Sequence, residues 1–236
     1  MTQFVDRKEE MVSRSSLDKY RSNWPRVGAV LAMALGGAST LAAGKKLTNL
    51  RALAVMNFIA LLVHQYEEYE DPGYFPGQFN RGIFKSDQPR NYPLNTNTAM
   101  CINTAVAYPF YIAPIVFPNV RWLGLPPVLF GISQSVGHGV IFPRIANAKY
   151  SPGFLASILL HVPIGLTYIR ALRGQGEIDR ATWLTSIAVT AFVAVTGVAG
   201  PNILGRDRHS PHAFTAKQMG EYDTSPAPVA NQAWEP

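Results

Sequence analysis

The chain has 236 residues, of which 47% are hydrophobic and only 15% are charged, whereas a typical soluble domain carries about 25% charged residues. Its net charge of +6 comes from Lys and Arg residues scattered between apolar runs. That spacing is typical of membrane-flanking positions and not of a nucleic-acid-binding patch. The single Cys101 excludes an intramolecular disulfide framework and a paired-cysteine redox motif.

Residues 1–26 are polar and basic. They show no basic stretch that leads directly into a short apolar run and a cleavage site, so we expect no removable signal peptide. This segment is predicted to be a cytoplasmic polar tail with a short surface helix.

Six apolar runs of about 17–24 residues, enough to cross a bilayer, occupy residues 27–204. They are Val27–Ala43, Leu50–Tyr69, Thr98–Phe117, Val120–Phe142, the run from the turn at 149–153 to Leu172, and Ala181–Leu204. Most are apolar around the whole helix, whereas helices of a soluble bundle would be amphipathic. The predicted fold is therefore all-α: a polytopic membrane helix bundle with about six transmembrane helices, surrounded by a lipid bilayer.

Two segments outside the runs have their own character. Residues 71–97 are rich in proline, glycine and aromatic residues and are long for a connector, which favours an ordered loop at the membrane interface. Residues 205–236 are polar and show no periodicity, so they are predicted to be a disordered tail.

Six spans would place both termini on one side of the membrane. That side would carry twice as many Lys and Arg residues as the other, so both termini are predicted to be cytoplasmic. Alternation of the spans also puts His64, Asn103 and His138 at similar depth on one side, whichever way the protein faces.

A polar cluster ends the second run. His64, Glu67 and Glu68 are spaced i, i+3 and i+4 and share one helix face. A carboxylate in the hydrocarbon region costs at least ~2.5–3.5 kcal/mol, so it needs a counter-charge, a proton or a metal ion. Together with His138, these residues could hold one divalent Fe, Zn or Mn ion or act as a general acid–base set. All four are candidate catalytic residues and metal ligands.

Other polar residues are more ambiguous. His161 in the fifth run is a further candidate for the site, although a lone intramembrane histidine is often a hydrogen-bonded packing residue. Asn57, Asn103 and Gln134 could each be a hydrogen-bond link between helices or a ligand of the site. Glu70 and Asp71 are expected at the solvated rim, either hydrated or in salt bridges with basic residues of the loop.

The sequence His64-Gln65-Tyr66-Glu67-Glu68 resembles the motif that names the HXXEE family of integral membrane proteins. Further landmarks follow in the family's order: Pro72-Gly73 with Phe75, Phe79-Asn80, Asn103, His138 and Tyr150-Ser151-Pro152-Gly153. The resemblance covers roughly residues 50 to 200. It implies that the histidine and the two glutamates of the motif are the defining residues, and it implies no particular activity.

The first functional hypothesis is a membrane-embedded enzyme acting on a hydrophobic small molecule. The loop would act as a lid, with Tyr74, Phe75, Asn80 and Asn103 contacting the substrate. The chemistry would be metal-dependent, as in hydrolases and oxidoreductases, or acid–base, as in isomerases and cyclases. With only five histidines in the chain, a di-iron hydroxylase of the many-histidine type is disfavoured.

Two further hypotheses remain open. A transporter or proton-coupled protein could use the same His and Glu residues as a relay, although the polar groups gather at one end and no internal repeat is apparent. A structural membrane protein could use them only to hold three helices together.

Overall fold

The computed structural model describes residues 2–42 and 49–223, with side chains described at 16–39 and 49–223. This part of the chain is helical and contains no strand. Its helices are α1 (Thr2–Ala42), α2 (Leu50–Tyr69), α3 (Phe75–Gly77, continued by Gln78–Ile83), α4 (Thr96–Val116), α5 (Arg121–Ala146), α6 (Phe154–Gly174), α7 (Arg180–Leu204) and α8 (Ala216–Met219, continued by Gly220–Tyr222).

The described residues confirm the predicted all-α class. Helices α4 to α7 are long and apolar enough to cross a membrane, which indicates a membrane protein. The count of about six spans is not confirmed, because α1 and α2 are not among the candidate spans of the described residues. Most of the first predicted run forms the end of α1, while its last residue lies outside the described part. The second run is α2, whose polar residues lower its mean hydropathy.

Helix α2 is the centre of the bundle. It packs against α1, α4, α5 and α6, and Asn57, His64, Gln65 and Glu68 on it are all buried. Helix α7 lies at the edge, and none of the residues in its most apolar stretch is buried. Polar side chains on α2 therefore meet protein groups, whereas α7 presents apolar side chains outward.

The tails are more structured than the sequence suggests. The predicted N-terminal tail and the first apolar run form one continuous helix, α1, and Trp24 on it is 2% exposed. Residues 205–223, the first part of the segment predicted to be a disordered tail, pack against the rest of the protein in the structure. There Phe214 and Met219 are buried against Trp24 and Tyr69. Single buried apolar residues in a polar segment produce no hydrophobic periodicity, so the sequence does not reveal them. Residues 224–236 lie outside the described part.

The tail is also tied to the loop of residues 71–97. The Phe214 N–H donates to the Arg90 carbonyl oxygen at 2.7 Å, and the Arg90 guanidinium pairs with Asp223 at 2.6 Å. Within the loop, the Asn80 amide donates to the carbonyl oxygens of Pro89 and Leu94 at 2.7 and 2.8 Å. These bonds hold the loop in a fixed shape over one end of the bundle.

Several long helices widen locally into π-helical turns, at Cys101–Val106 in α4, Gly137–Ile141 in α5, Ser157–His161 in α6 and Val193–Ala199 in α7. The last three are each followed two residues later by a proline. Proline has no N–H to donate and its ring crowds the preceding turn. Asn103, His138, Ser157 and His161 lie in these turns, and π-turns are frequent at functional sites.

Candidate metal centre

Three predicted residues meet inside the bundle: His64 and Glu68 from α2 and His138 from α5. Their nearest ligand atoms lie within 4.8 Å of one another, and all three residues are buried. The Oε1 atom of Glu68 is 3.5 Å from Nε2 of His64 and 3.3 Å from Nε2 of His138. These three residues are called the His–Glu site below.

The orientation of His64 is set from α6. The Ser157 hydroxyl lies 3.2 Å from Nδ1 of His64 and donates its proton to the Gly153 carbonyl oxygen at 2.6 Å. Since that proton is already used, the hydroxyl can only accept from His64, so Nδ1 carries the imidazole hydrogen. In the neutral imidazole, Nε2 therefore presents a lone pair to Glu68.

His138 is held in a similar way by the turn before α6. The Ser151 hydroxyl lies 3.1 Å from Nδ1 of His138, which again leaves Nε2 facing Glu68. Gly153 has a φ of +103°, and a Cβ there would lie 2.8 Å from Cε1 of both His64 and His138. Glycine is thus required for backbone conformation and for space.

Glu67 stands apart from the His–Glu site. Its carboxylate accepts the backbone N–H groups of Leu155 and Ala156 at 3.1 and 2.7 Å and the Tyr150 hydroxyl. Burial and the neighbouring Glu67 raise the pKa of Tyr150, so the phenol stays protonated as a donor. Glu67 therefore caps the first turn of α6, where a negative charge is favoured by the helix dipole.

His161 lies beside the site without joining it. Its ring centroid is 5.7 Å from that of His64, and its Nδ1 is 3.1 Å from Oδ1 of Asn57. Gly131 makes room for the ring, because a Cβ there would lie 2.4 Å from Nδ1 of His161. Nε2 of His161 is buried and has no hydrogen-bond partner among the described residues.

A partly enclosed cavity of about 130 Å³ adjoins the His–Glu site. Its wall is mostly apolar and aromatic, with contributions from α2, α3, α4, α5 and α7. Besides the His–Glu site, it is lined by Tyr69, Phe75, Phe79, Asn103, Phe110, Tyr111, Phe130, Gln134, Phe142 and Asn202, together with aliphatic side chains. The site therefore faces an apolar space.

The predicted substrate-contacting residues divide into two pairs. Phe75 and Asn103 line the cavity, and the Phe75 ring is 5.0 Å from His138. Asn80 is fully buried and uses both ends of its amide to hold the loop. Tyr74 packs against the backbone at Gly220, away from the cavity lining.

The two acids after the motif also differ. Glu70 is buried, and its carboxylate lies 3.0 Å from Arg26 and 3.9 Å from Lys217, basic residues from the two tails and not from the loop. Asp71 is exposed, in agreement with the expected solvated rim.

Sequence reasoning did not identify Ser157, Tyr111 or the specific role of Ser151 and Gly153. Ser151 and Gly153 lie in the Tyr-Ser-Pro-Gly landmark of the family, to which the sequence analysis assigned no chemical role. Ser157 is one residue in an apolar run and has no distinguishing pattern. The proline that follows the π-turns of α5, α6 and α7 was a further signal, since it marks where a helix widens.

Residues 55–168 match the family described as "Protein of unknown function with HXXEE motif". No match was found among curated proteins or among solved structures. The matched segment contains His64, Glu67, Glu68, His138, Ser151 and Ser157. This chain therefore carries an HXXEE-family domain over residues 55–168, as its motif suggested.

Proposed function

We propose that this protein is a membrane-embedded metalloenzyme that acts on a lipid-soluble small molecule. One divalent ion would be bound by Nε2 of His64, Oε1 of Glu68 and Nε2 of His138. Two histidines and one carboxylate are a ligand set used by Zn²⁺ in hydrolysis and by Fe²⁺ in oxygen chemistry.

The separations of the ligand atoms are the observation that carries this proposal. The Nε2–Oε1 distances of 3.5 and 3.3 Å are long for charge-assisted hydrogen bonds, which are about 2.7–2.9 Å. Ligand atoms bound about 2.0–2.2 Å from one ion in a tetrahedron would lie roughly 3.3–3.6 Å apart. Both carboxylate–imidazole separations therefore match those expected around a shared ion, and the three ligand atoms together lie within 4.8 Å of one another.

The tautomer of His64 supports the same reading. Its Nδ1 hydrogen is committed to Ser157, so the lone pair on Nε2 faces a carboxylate oxygen. Two acceptors that face each other in a buried site need a cation between them, either a proton or a metal ion. Hydrogen bonds to the outer nitrogen of a ligand histidine are the usual support for metal binding.

The cavity beside this site would hold the substrate. Three protein ligands would leave a coordination position open, as catalytic sites require, and the ion would polarise a substrate oxygen or activate water there. An apolar cavity inside a helix bundle suits a substrate that reaches the site from the bilayer.

We further propose that α1 and α2 also cross the membrane, which gives six spans with both termini in the cytoplasm. The polar residues of α2 do not prevent this, because neighbouring helices shield them from lipid.

Metal analysis of the purified protein tests the proposal. Wild-type protein in detergent should contain about one divalent transition-metal ion per chain, and Glu68→Gln and His138→Ala should lose it. His209→Ala is the matched control, because this exposed histidine should leave the metal content unchanged. Wild-type protein that stays metal-free after incubation with Zn²⁺, Fe²⁺ or Mn²⁺ would overturn the metal centre and leave a proton as the shared cation.

A further inference from the structure

The wall of the cavity beside the His–Glu site includes a further polar side chain, that of Tyr111 on α4. Tyr111 is 1% exposed and lines the cavity. Its hydroxyl is buried and has no hydrogen-bond partner among the described residues. A hydroxyl buried without a partner is unfavourable, and an oxygen atom of a bound ligand would supply the missing partner.

The surroundings of Tyr111 restrict what that ligand can be. The Tyr111 ring packs against the rings of Phe110 and His161, with centroids 5.7 and 6.1 Å away, and Phe110 in turn packs against Phe130 at 6.1 Å. No Lys or Arg side chain lines the cavity in the part of the chain that the structure describes. Apart from the His–Glu site, the side chains that line the cavity are uncharged, so an anion beside Tyr111 would have no basic side chain to pair with. A free phosphate or carboxylate is therefore disfavoured.

The volume of about 130 Å³ is close to that of an engineered apolar cavity of about 150 Å³ that binds benzene. A ring, or a short piece of a longer chain, fits such a space. Asn202 adds a second unpartnered acceptor, its Oδ1 atom, at the α7 side of the same cavity. Tyr111 can donate, whereas Oδ1 of Asn202 can only accept.

We infer that the Tyr111 hydroxyl binds the oxygen atom of a neutral, lipid-soluble ligand, an alcohol or ketone whose apolar ring or chain fills the cavity. This assignment rests on the proposed function, in which the same cavity holds the substrate. It makes Tyr111 a substrate-binding residue that selects oxygenated neutral molecules over hydrocarbons and over anions.

Photolabelling with three probes of one skeleton tests the inference. The probes are a trifluoromethyl-diazirine benzyl alcohol and the corresponding toluene and benzoate, used with full-length protein in nanodiscs. The alcohol should label peptides that contain Phe110, Phe130 or Phe142, and excess benzyl alcohol should compete. Benzoate should label these peptides least.

Variants make the result specific. Tyr111→Phe should raise the half-saturating concentration of the alcohol by about tenfold and leave that of the toluene probe unchanged. Tyr168→Phe, which changes a buried tyrosine outside the cavity, should change neither. Equal affinity of wild type and Tyr111→Phe for the alcohol, stronger labelling by benzoate, or absence of saturable labelling would each overturn the inference.

Metal content measured on the same samples separates the two proposals. Tyr111→Phe should retain the metal of the wild type, because the phenol is not a ligand in the His–Glu site. If wild-type protein holds no metal but shows the expected labelling, the metal centre fails while the ligand assignment stands. If the metal is present and labelling is unaffected by Tyr111→Phe, the ligand assignment alone fails.

Discussion

Oγ of Ser157 lies 3.2 Å from Nδ1 of His64 and gives its own proton to the Gly153 carbonyl oxygen. This pair decides which nitrogen of the histidine faces Glu68, because the hydroxyl has no proton left to donate to the ring. A serine near the start of an apolar helix thereby sets the chemistry of a residue on another helix. Support of this kind for a ligand histidine typically changes metal affinity about 10- to 100-fold.

Ser157→Ala should therefore weaken metal binding about 10- to 100-fold. The imidazole would lose the acceptor that holds its hydrogen on Nδ1. Competition with a metal chelator measures the affinity. Ser133→Ala is the control, because the Ser133 hydroxyl is exposed and donates to the Phe130 carbonyl oxygen of its own helix. An unchanged affinity in Ser157→Ala would contradict the role assigned to the hydroxyl.

Gly153→Ala should disrupt the site sterically. The added Cβ would collide with both imidazoles, and the backbone at φ +103° would be strained by about 1–3 kcal/mol. We expect lower metal content and a lower melting temperature, measured by metal analysis and by differential scanning fluorimetry. Gly174→Ala should behave like the wild type, since a Cβ there meets nothing within 4 Å. Wild-type metal content in Gly153→Ala would refute the close contact.

The two glutamates of the motif should have opposite phenotypes. Glu67→Gln weakens the cap of α6, a loss of about 0.5–2 kcal/mol, and each kcal/mol lowers the melting temperature by about 2–4 °C in a chain of this size. Its metal content should be retained. Glu68→Gln should lose the metal. Metal loss in Glu67→Gln with retention in Glu68→Gln would show that the assignments are reversed.

The proposed six spans predict where three exposed side chains lie. In a Cys101→Ser background, single cysteines at Arg51 and Glu177 should react with a membrane-impermeant maleimide applied to intact cells. A cysteine at Arg208 should react only after permeabilisation. All three positions are exposed in the structure, so accessibility depends on the side of the membrane. If Arg51→Cys behaves like Arg208→Cys, then α1 and α2 do not cross the bilayer.

The motif histidine and glutamates could be placed on one helix from their spacing alone, because three and four residues make nearly one turn. Their different roles could not. Glu67 and Glu68 are adjacent, so they point in directions about 100° apart around α2. One direction meets the N-terminus of α6 and the other meets His138, and only the packing of α5 and α6 against α2 decides this.

What the sequence by itself determined was the helical class, the apolar runs of α4 to α7, and the set of residues from which the site is drawn. These features follow from the composition and periodicity of short stretches of sequence, which do not depend on how the helices pack. Only the tertiary structure decided that α2 lies at the centre, that the tail from residue 205 packs on the loop, and that Ser157, Gly153 and Tyr111 surround the site. Those relationships join positions far apart in the chain, so they depend on how the helices pack. They also depend on the π-turns, which change the direction in which the following side chains leave the helix.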